Sequence, residues 1–276
     1  MSNPKFDNDG FQIVSSKKSF KIKSTKVPRQ PAEFNINSAF FDIDKSYEQI
    51  TSAVDVLKDS QYFRDLIKSV SSIIQDREVI ELVCFGLGRI GECNISKYQL
   101  ALLLCLKDSL QPEKVLVHDP IFSSQECDLL KRLKLTVIEK NNEGGYVISK
   151  KGITFVYLPH CPKQLTNNFL WSNWSFNLEN CILLCNSFNS LLENQLNRVL
   201  SETVPYIHKI LPYTTEVSLE NNFIYKDIFN DTAVHYFLNE KLLLVPSDFW
   251  LNKVKPEYKE TEEFITSLMI EKLHIV

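Results

Sequence analysis

Short apolar runs alternate with stretches of helical spacing through the middle of this chain. Val79–Phe85, Lys114–His118, Leu135–Glu139, Ile153–Leu158 and Cys181–Cys185 are five to seven residues long, rich in aliphatic, β-branched and aromatic side chains, and read as strands. Between and before them, apolar residues recur every three to four positions. Tyr47, Ile50, Val54 and Leu57 form one helical face, with Asp44 placed to cap it, and Phe63, Leu66, Ile67, Val70 and Ile74 form a second. Ser96–Lys107 is apolar nearly all round, the mark of a buried helix. Ser123-Ser124-Gln125-Glu126 fits a capping box ahead of Leu129, Leu130 and Leu133. Pro162 suits the first turn of a helix reaching towards Trp171, and Ser187 onwards carries Leu191, Leu192, Leu196 and Val199 on one further helix. Gly144-Gly145 marks a turn.

Strands that alternate with helices in this way imply βαβ units and a parallel sheet. The expected fold class is α/β: a three-layer Rossmann-like domain with a mainly parallel sheet and an N-terminal helical addition. After Pro205 the pattern is irregular. Ala233–Leu238 and Leu242–Val245 read as added strands, and Glu262–Leu273 as a terminal helix.

Composition narrows the setting. The chain has 276 residues, and 44% of them are hydrophobic, enough for a large core. Cys84, Cys105, Cys181 and Cys185 lie inside apolar runs, where a thiol acts as a small hydrophobe, and no paired C-x-x-C spacing suggests zinc. This usage fits a reducing compartment, cytoplasm or nucleus. No apolar stretch approaches the length of a membrane span, and no membrane partner is expected. Charge is uneven. Residues 1–30 hold seven Lys and Arg against two Asp, a net of +5; with −3 for the whole chain, the remainder carries −8. Residues 1–30 are therefore expected as a basic flexible tail that serves solubility or nuclear import, and 31–276 as a single α/β domain. The acidic body argues against direct nucleic-acid binding.

Candidate chemistry gathers where the expected strands end. Three of seven glycines fall in Gly86-Leu87-Gly88-Arg89-Ile90-Gly91, directly after the first strand and ahead of a helix. That is the context a G-x-G-x-x-G loop needs to hold an anion, although the same glycines also serve a bare strand-to-helix turn. His118-Asp119-Pro120 follows the second strand. An acid there either accepts hydrogen bonds from ribose hydroxyls or closes its own turn before the proline. His118 is a candidate base or a packed turn residue. Pro159-His160-Cys161-Pro162 follows the fourth strand, where His160 and Cys161 are candidate haem ligands, Cys161 is a candidate nucleophile, and the prolines alone would make a rigid loop. Asn186 and Ser187 follow the fifth strand, as ligand contacts or, for Ser187, as a helix cap. Open-sheet proteins bind ligands at this strand end, so Gly86, Gly88, Asp119, His160, Cys161, Asn186 and Ser187 are expected on one rim. The ligand classes that follow are adenosine-containing, a nucleotide or S-adenosylmethionine, or haem.

Several of these segments, taken in order, resemble one family. Asp9-Gly10-Phe11-Gln12-Ile13-Val14 with the lysines after it, Cys84-Phe85-Gly86-Leu87-Gly88, Tyr98-Gln99-Leu100-Ala101, His118-Asp119-Pro120-Ile121-Phe122, Leu158-Pro159-His160-Cys161-Pro162, Asn173-Trp174, Asn186-Ser187-Phe188 and Phe229-Asn230-Asp231-Thr232-Ala233-Val234-His235 resemble the sensitivity-to-red-light-reduced, or SRR1-like, proteins. The resemblance is densest over about 80–190. It implies an intracellular regulator connected to circadian clock input, as in the plant members, with regulation of haem biosynthesis and clock-gene expression associated with the animal members. It implies protein partners in a clock or haem pathway and brings no established reaction. Gly91 is not part of the family's pattern. An enzyme that binds a nucleotide or S-adenosylmethionine at the rim is the alternative.

Overall fold

A computed structural model describes residues 41–258, apart from 92 and 252, together with 264 and 266. The basic tail at 1–30 and most of the helix expected at 262–273 lie outside the described residues.

The elements run α1 (Ile43–Lys58), α2 (Gln61–Ile74), β1 (Val79–Phe85), α3 (Asn94–Leu110), β2 (Lys114–His118), α4 (Ser124–Arg132), β3 (Thr136–Val137), β4 (Ile153–Tyr157), α5 (Lys163–Ser172), β5 (Cys181–Asn186), α6 (Phe188–Asn194), α7 (Asn197–Thr203), α8 (Pro205–Ile210), β6 (Thr215–Ser218), β7 (Thr232–Tyr236) and α9 (Asn239–Leu242). The seven strands form one sheet in the order β3-β2-β1-β4-β5-β7-β6. β1 to β5 pair in parallel, and β7 lies antiparallel between β5 and β6.

The pleat sorts side chains between two cores. Leu82 and Cys84 of β1 pack on the side covered by α1, α2, α3 and α4, while Val83 and Phe85 pack on the side of α5, α8 and Trp174. Burial on both faces explains why β1, β4 and β5 are mostly apolar rather than alternating; the buried exceptions Glu81 and Thr154 pair with each other at 3.2 Å. Leu100 to Leu103 of α3 are all fully buried, as the all-round apolar pattern requires.

Four local expectations are corrected. Asp42, not Asp44, caps α1, its carboxylate accepting from the Lys45 amide at 3.0 Å; Asp44 sits in the first turn and pairs with Arg132. The third strand shrinks to Thr136–Val137, an edge whose partner on the inner side is β2. The helix after Ser187 breaks into α6 and α7 at Gln195, whose backbone is extended and whose amide oxygen accepts from Lys163 Nζ at 2.5 Å. Leu242–Val245 is not a strand: α9 ends in it, and Leu243 and Leu244 are exposed. Both sides of β7 are taken by β5 and β6, and the run folds into the α9 turn instead of pairing with the outer edge of β6.

Candidate functional site

The chain lays down β1, β2 and β3 in one direction across the sheet and then crosses back to place β4 and β5 on the other side of β1. The connections diverge between β1 and β4, and such a switch point opens a crevice at the carboxyl ends of the strands. A cavity of about 210 Å³ lies there, with Gly86 and Gly88 after β1, Asp119 and Ile121 after β2, and Cys161 and Pro162 after β4 among its walls.

The glycines are required by geometry. Gly86 has φ +76°, and a Cβ on it would overlap Cys161 Sγ; Gly88 has φ +69°. The Gly86 amide continues the sheet by donating to His118 O at 3.0 Å. The Gly88 amide donates to Asp119 Oδ2 at 2.7 Å, and Asp119 Oδ1 accepts from the Ile121 amide at 3.0 Å. Asp119 thus closes its own turn and also anchors the glycine loop. Burial raises its carboxyl above the ordinary value, against the pull of the two amides.

A second acid completes the loop. Glu126 is buried, and its Oε1 accepts from the Ile90 amide at 2.6 Å and the Gly91 amide at 3.4 Å. Its Oε2 accepts from Ser123 N at 2.8 Å, completing the capping box of α4. The capping box was legible in the sequence; its reach across to the glycine loop was not.

His118 lines the same cavity and is buried. Its Nδ1 lies 2.7 Å from Ile138 O. A carbonyl oxygen only accepts, so Nδ1 carries a hydrogen, and in the neutral ring Nε2 is then an acceptor. That Nε2 is fully buried and has no partner among the described residues.

Cys161 is placed to hold the crevice together. Its Sγ donates to Phe85 O at 3.2 Å, and burial pushes its thiol well up. His160 is exposed, with φ +47° and Nε2 3.2 Å from Asn230 O, and it lines neither this cavity nor the next.

Asn186 and Ser187 stand at the same strand end but open into a neighbouring cavity of about 210 Å³ with Lys163 and Asp231. The Asn186 amide reaches back to Cys161 O at 3.4 Å. Ser187 caps α6 by accepting from Ser190 N at 3.0 Å, and its hydroxyl donates to Glu216 Oε1 at 2.5 Å. The expected rim residues therefore share one strand end but divide between two cavities.

Behind Ser187 lies a group that local spacing did not indicate. Glu216 of β6 accepts from the Phe188 and Asn189 amides, each at 3.0 Å, and from His235 Nε2 of β7 at 3.1 Å. Burial alone would push the Glu216 carboxyl up; the hydrogen bonds from His235 and Ser187 outweigh it and hold the carboxyl at about 2. His235 is completely buried and its Nδ1 is 3.5 Å from Cys185 Sγ. Burial pushes the Cys185 thiol well up, and with Cys185 and His235 both buried this Cys-His-Glu row braces the β5–β7–β6 edge. Among the described residues no cluster of metal-ligating side chains occurs.

The family model of the SRR1 domain matches residues 64–236, which span β1 to β7 and the lining of both cavities except Phe264. The chain belongs to the SRR1 family. It is 39% identical to a mouse SRR1-like protein over 134 residues, covering 48% of this chain and about half, 53%, of the mouse protein. It is 26% identical to a fruit-fly (Drosophila melanogaster) SRR1-like protein over 272 residues, or 96% and 95% of the two chains. To the Arabidopsis thaliana protein SENSITIVITY TO RED LIGHT REDUCED 1 it is 24% identical over 194 residues, covering 67% and 69%. The SRR1 region is thus the part of the molecule that contains the glycine loop, Asp119 and the Cys161 turn. Among the described residues no helix is long and apolar enough to cross a membrane.

Proposed function

We propose that this SRR1-family chain is a regulatory protein of light and clock input, acting in cytoplasm or nucleus, and that the switch-point cavity is where it takes an adenosine-containing ligand. The plant relative's name connects that protein to red-light sensitivity. One observation carries the ligand reading: Asp119 lines the switch-point cavity at the end of β2 while two backbone amides hold its carboxylate still. A carboxylate has about four acceptor positions, and two remain to receive a ribose diol. The sheet adds support. Its parallel part, β3-β2-β1-β4-β5, has the strand order of nucleotide-binding open α/β sheets with the switch between β1 and β4; this is a likeness of fold alone.

A second reading makes the ligand a cosubstrate. His118 favours it, because a buried imidazole nitrogen with a free lone pair beside a nucleoside site is equipped to take a proton. For haem the geometry offers less. The Cys161 thiol is spent on Phe85 O, so an effect on haem biosynthesis fits best as indirect regulation through protein partners.

Calorimetric titration of the full chain with adenosine and S-adenosylmethionine tests the ligand reading. Saturable binding that Asp119→Ala weakens supports it. Binding that ignores Asp119→Ala refutes this placement.

A further inference from the structure

We propose that the switch-point cavity selects a phosphate-free, positively charged nucleoside, the adenosyl sulfonium of S-adenosylmethionine, and rejects phosphate-bearing nucleotides, because its glycine loop is already occupied by carboxylates of its own chain and Asp119 lines the cavity. The proposal rests on the adenosine reading above and specifies its ligand.

A glycine loop binds phosphate when its amides point at open space and present an unopposed positive field. Here that capacity is already used. The Gly88 amide is taken by Asp119 at 2.7 Å, and the Ile90 and Gly91 amides are taken by Glu126 at 2.6 and 3.4 Å. The loop that would hold a pyrophosphate instead holds two carboxylates of its own chain. A phosphate entering the cavity would have to displace the Gly88–Asp119 bond and then sit beside the Asp119 carboxylate, while Glu126 holds the rest of the loop. No Lys or Arg is among the described residues lining the cavity to offset that charge.

Size points the same way. About 210 Å³ is below the roughly 300–1,000 Å³ of ordinary small-molecule pockets, room for part of a nucleoside ligand but not for an enclosed dinucleotide. His118 lines the same cavity and its buried Nε2 is unpaired among the described residues, so the exocyclic amine of an adenine would find a partner there; every adenosine compound carries that amine, so this contact anchors the ligand and the loop sorts it.

Asp119 is therefore the specificity element. Its carboxylate lines the cavity, repels anions and favours a sulfonium over the neutral thioether of the same skeleton.

The test is calorimetry on the full chain with S-adenosylmethionine, S-adenosylhomocysteine, adenosine, ATP and NAD. S-adenosylmethionine is expected to bind roughly five-fold more tightly than S-adenosylhomocysteine, the scale of one screened charge contact. ATP and NAD are expected to bind about 100-fold or more weakly, the scale of a like-charge placement. ATP or NAD within ten-fold of S-adenosylmethionine overturns the proposal and leaves the adenosine reading standing. Failure of every adenosine compound to bind overturns both. Asp119→Asn keeps one acceptor for the loop amides and removes the charge that lines the cavity. With the fold verified by thermal unfolding, it should narrow the gap between S-adenosylmethionine and ATP by about ten-fold. An unchanged gap in a folded variant removes Asp119 as the determinant, and the wild-type comparison decides the ligand class without the variant.

Discussion

The Gly88 amide donates to Oδ2 of Asp119 across 2.7 Å, joining the loop after β1 to the end of β2. The pair is separated by 31 residues, so the bond also fixes how two strand ends face one crevice. It gives Asp119 two duties, anchoring the loop and presenting a carboxylate to the cavity. Asp119→Ala should lower stability by about 1–3 kcal/mol, because it leaves the Gly88 and Ile121 amides without acceptors. Asp119→Asn keeps an acceptor and should cost less. Urea unfolding of the two variants checks this, and equal losses would mean that the charge, not the acceptor, holds the loop.

Gly86 and Cys161 form the other hinge of the crevice. Gly86→Ala forces a side chain into a left-handed backbone and onto Cys161 Sγ, and should destabilise by about 2–4 kcal/mol. The steric part belongs to the thiol. In the double variant with Cys161→Ala, a coupling of about 1 kcal/mol or more should return, leaving the backbone cost. Additive losses in a double-mutant cycle would show that overlap with Cys161 is not the cause.

Glu216 makes a prediction in acid. Its carboxyl is held at about 2, below the ordinary value of 4.5, so its contribution to stability is present in full above pH 4.5 and is lost as pH falls towards 2. Glu216→Gln should be less stable at pH 7 and should lose less between pH 4.5 and 2. Parallel acid limbs for the two proteins in denaturant titrations would rule out the Glu216–His235 brace as the acid-sensitive element.

The thiols should differ sharply in reactivity. Cys93 is half-buried at the N-terminus of α3; burial raises its pKa, but hydrogen bonds from Ser96 and Ile95 outweigh this and lower it. Burial pushes up the pKa of Cys84, Cys105, Cys127, Cys161, Cys181 and Cys185. Timed alkylation read by peptide mass spectrometry should label Cys93 first. For the same reason, ferric haem should give the same spectrum with wild type and Cys161→Ala; a thiolate-type Soret band in wild type alone would contradict the buried, protonated thiol.

What the sequence made legible follows from the physics of each element. β1 and β2 match their expected bounds because buried parallel strands are continuous apolar runs that end where the chain turns. β6 was missed because Thr215–Ser218 is a short, half-buried edge with no apolar pattern. Leu242–Val245 was misread because an apolar run becomes a strand only when it pairs, and here Leu242 closes the α9 turn while Leu243 and Leu244 stay exposed. At the site, local chemistry was readable: the glycines, the Asp119 turn and the Ser123–Glu126 box. Bonds between distant segments were not. Glu126 to Ile90 and Glu216 to His235 depend on the packing of separate elements, and no spacing rule links them.

The central claim is that an adenosine unit sits against Asp119 at the switch between β1 and β4. Photocrosslinking with 8-azidoadenosine, followed by peptide mapping, locates that unit directly. The label should be saturable, competed by unmodified adenosine, and confined to peptides carrying 118–121 or 161–165, which line the cavity. Saturable label confined to other peptides, or none that adenosine competes, would contradict the account.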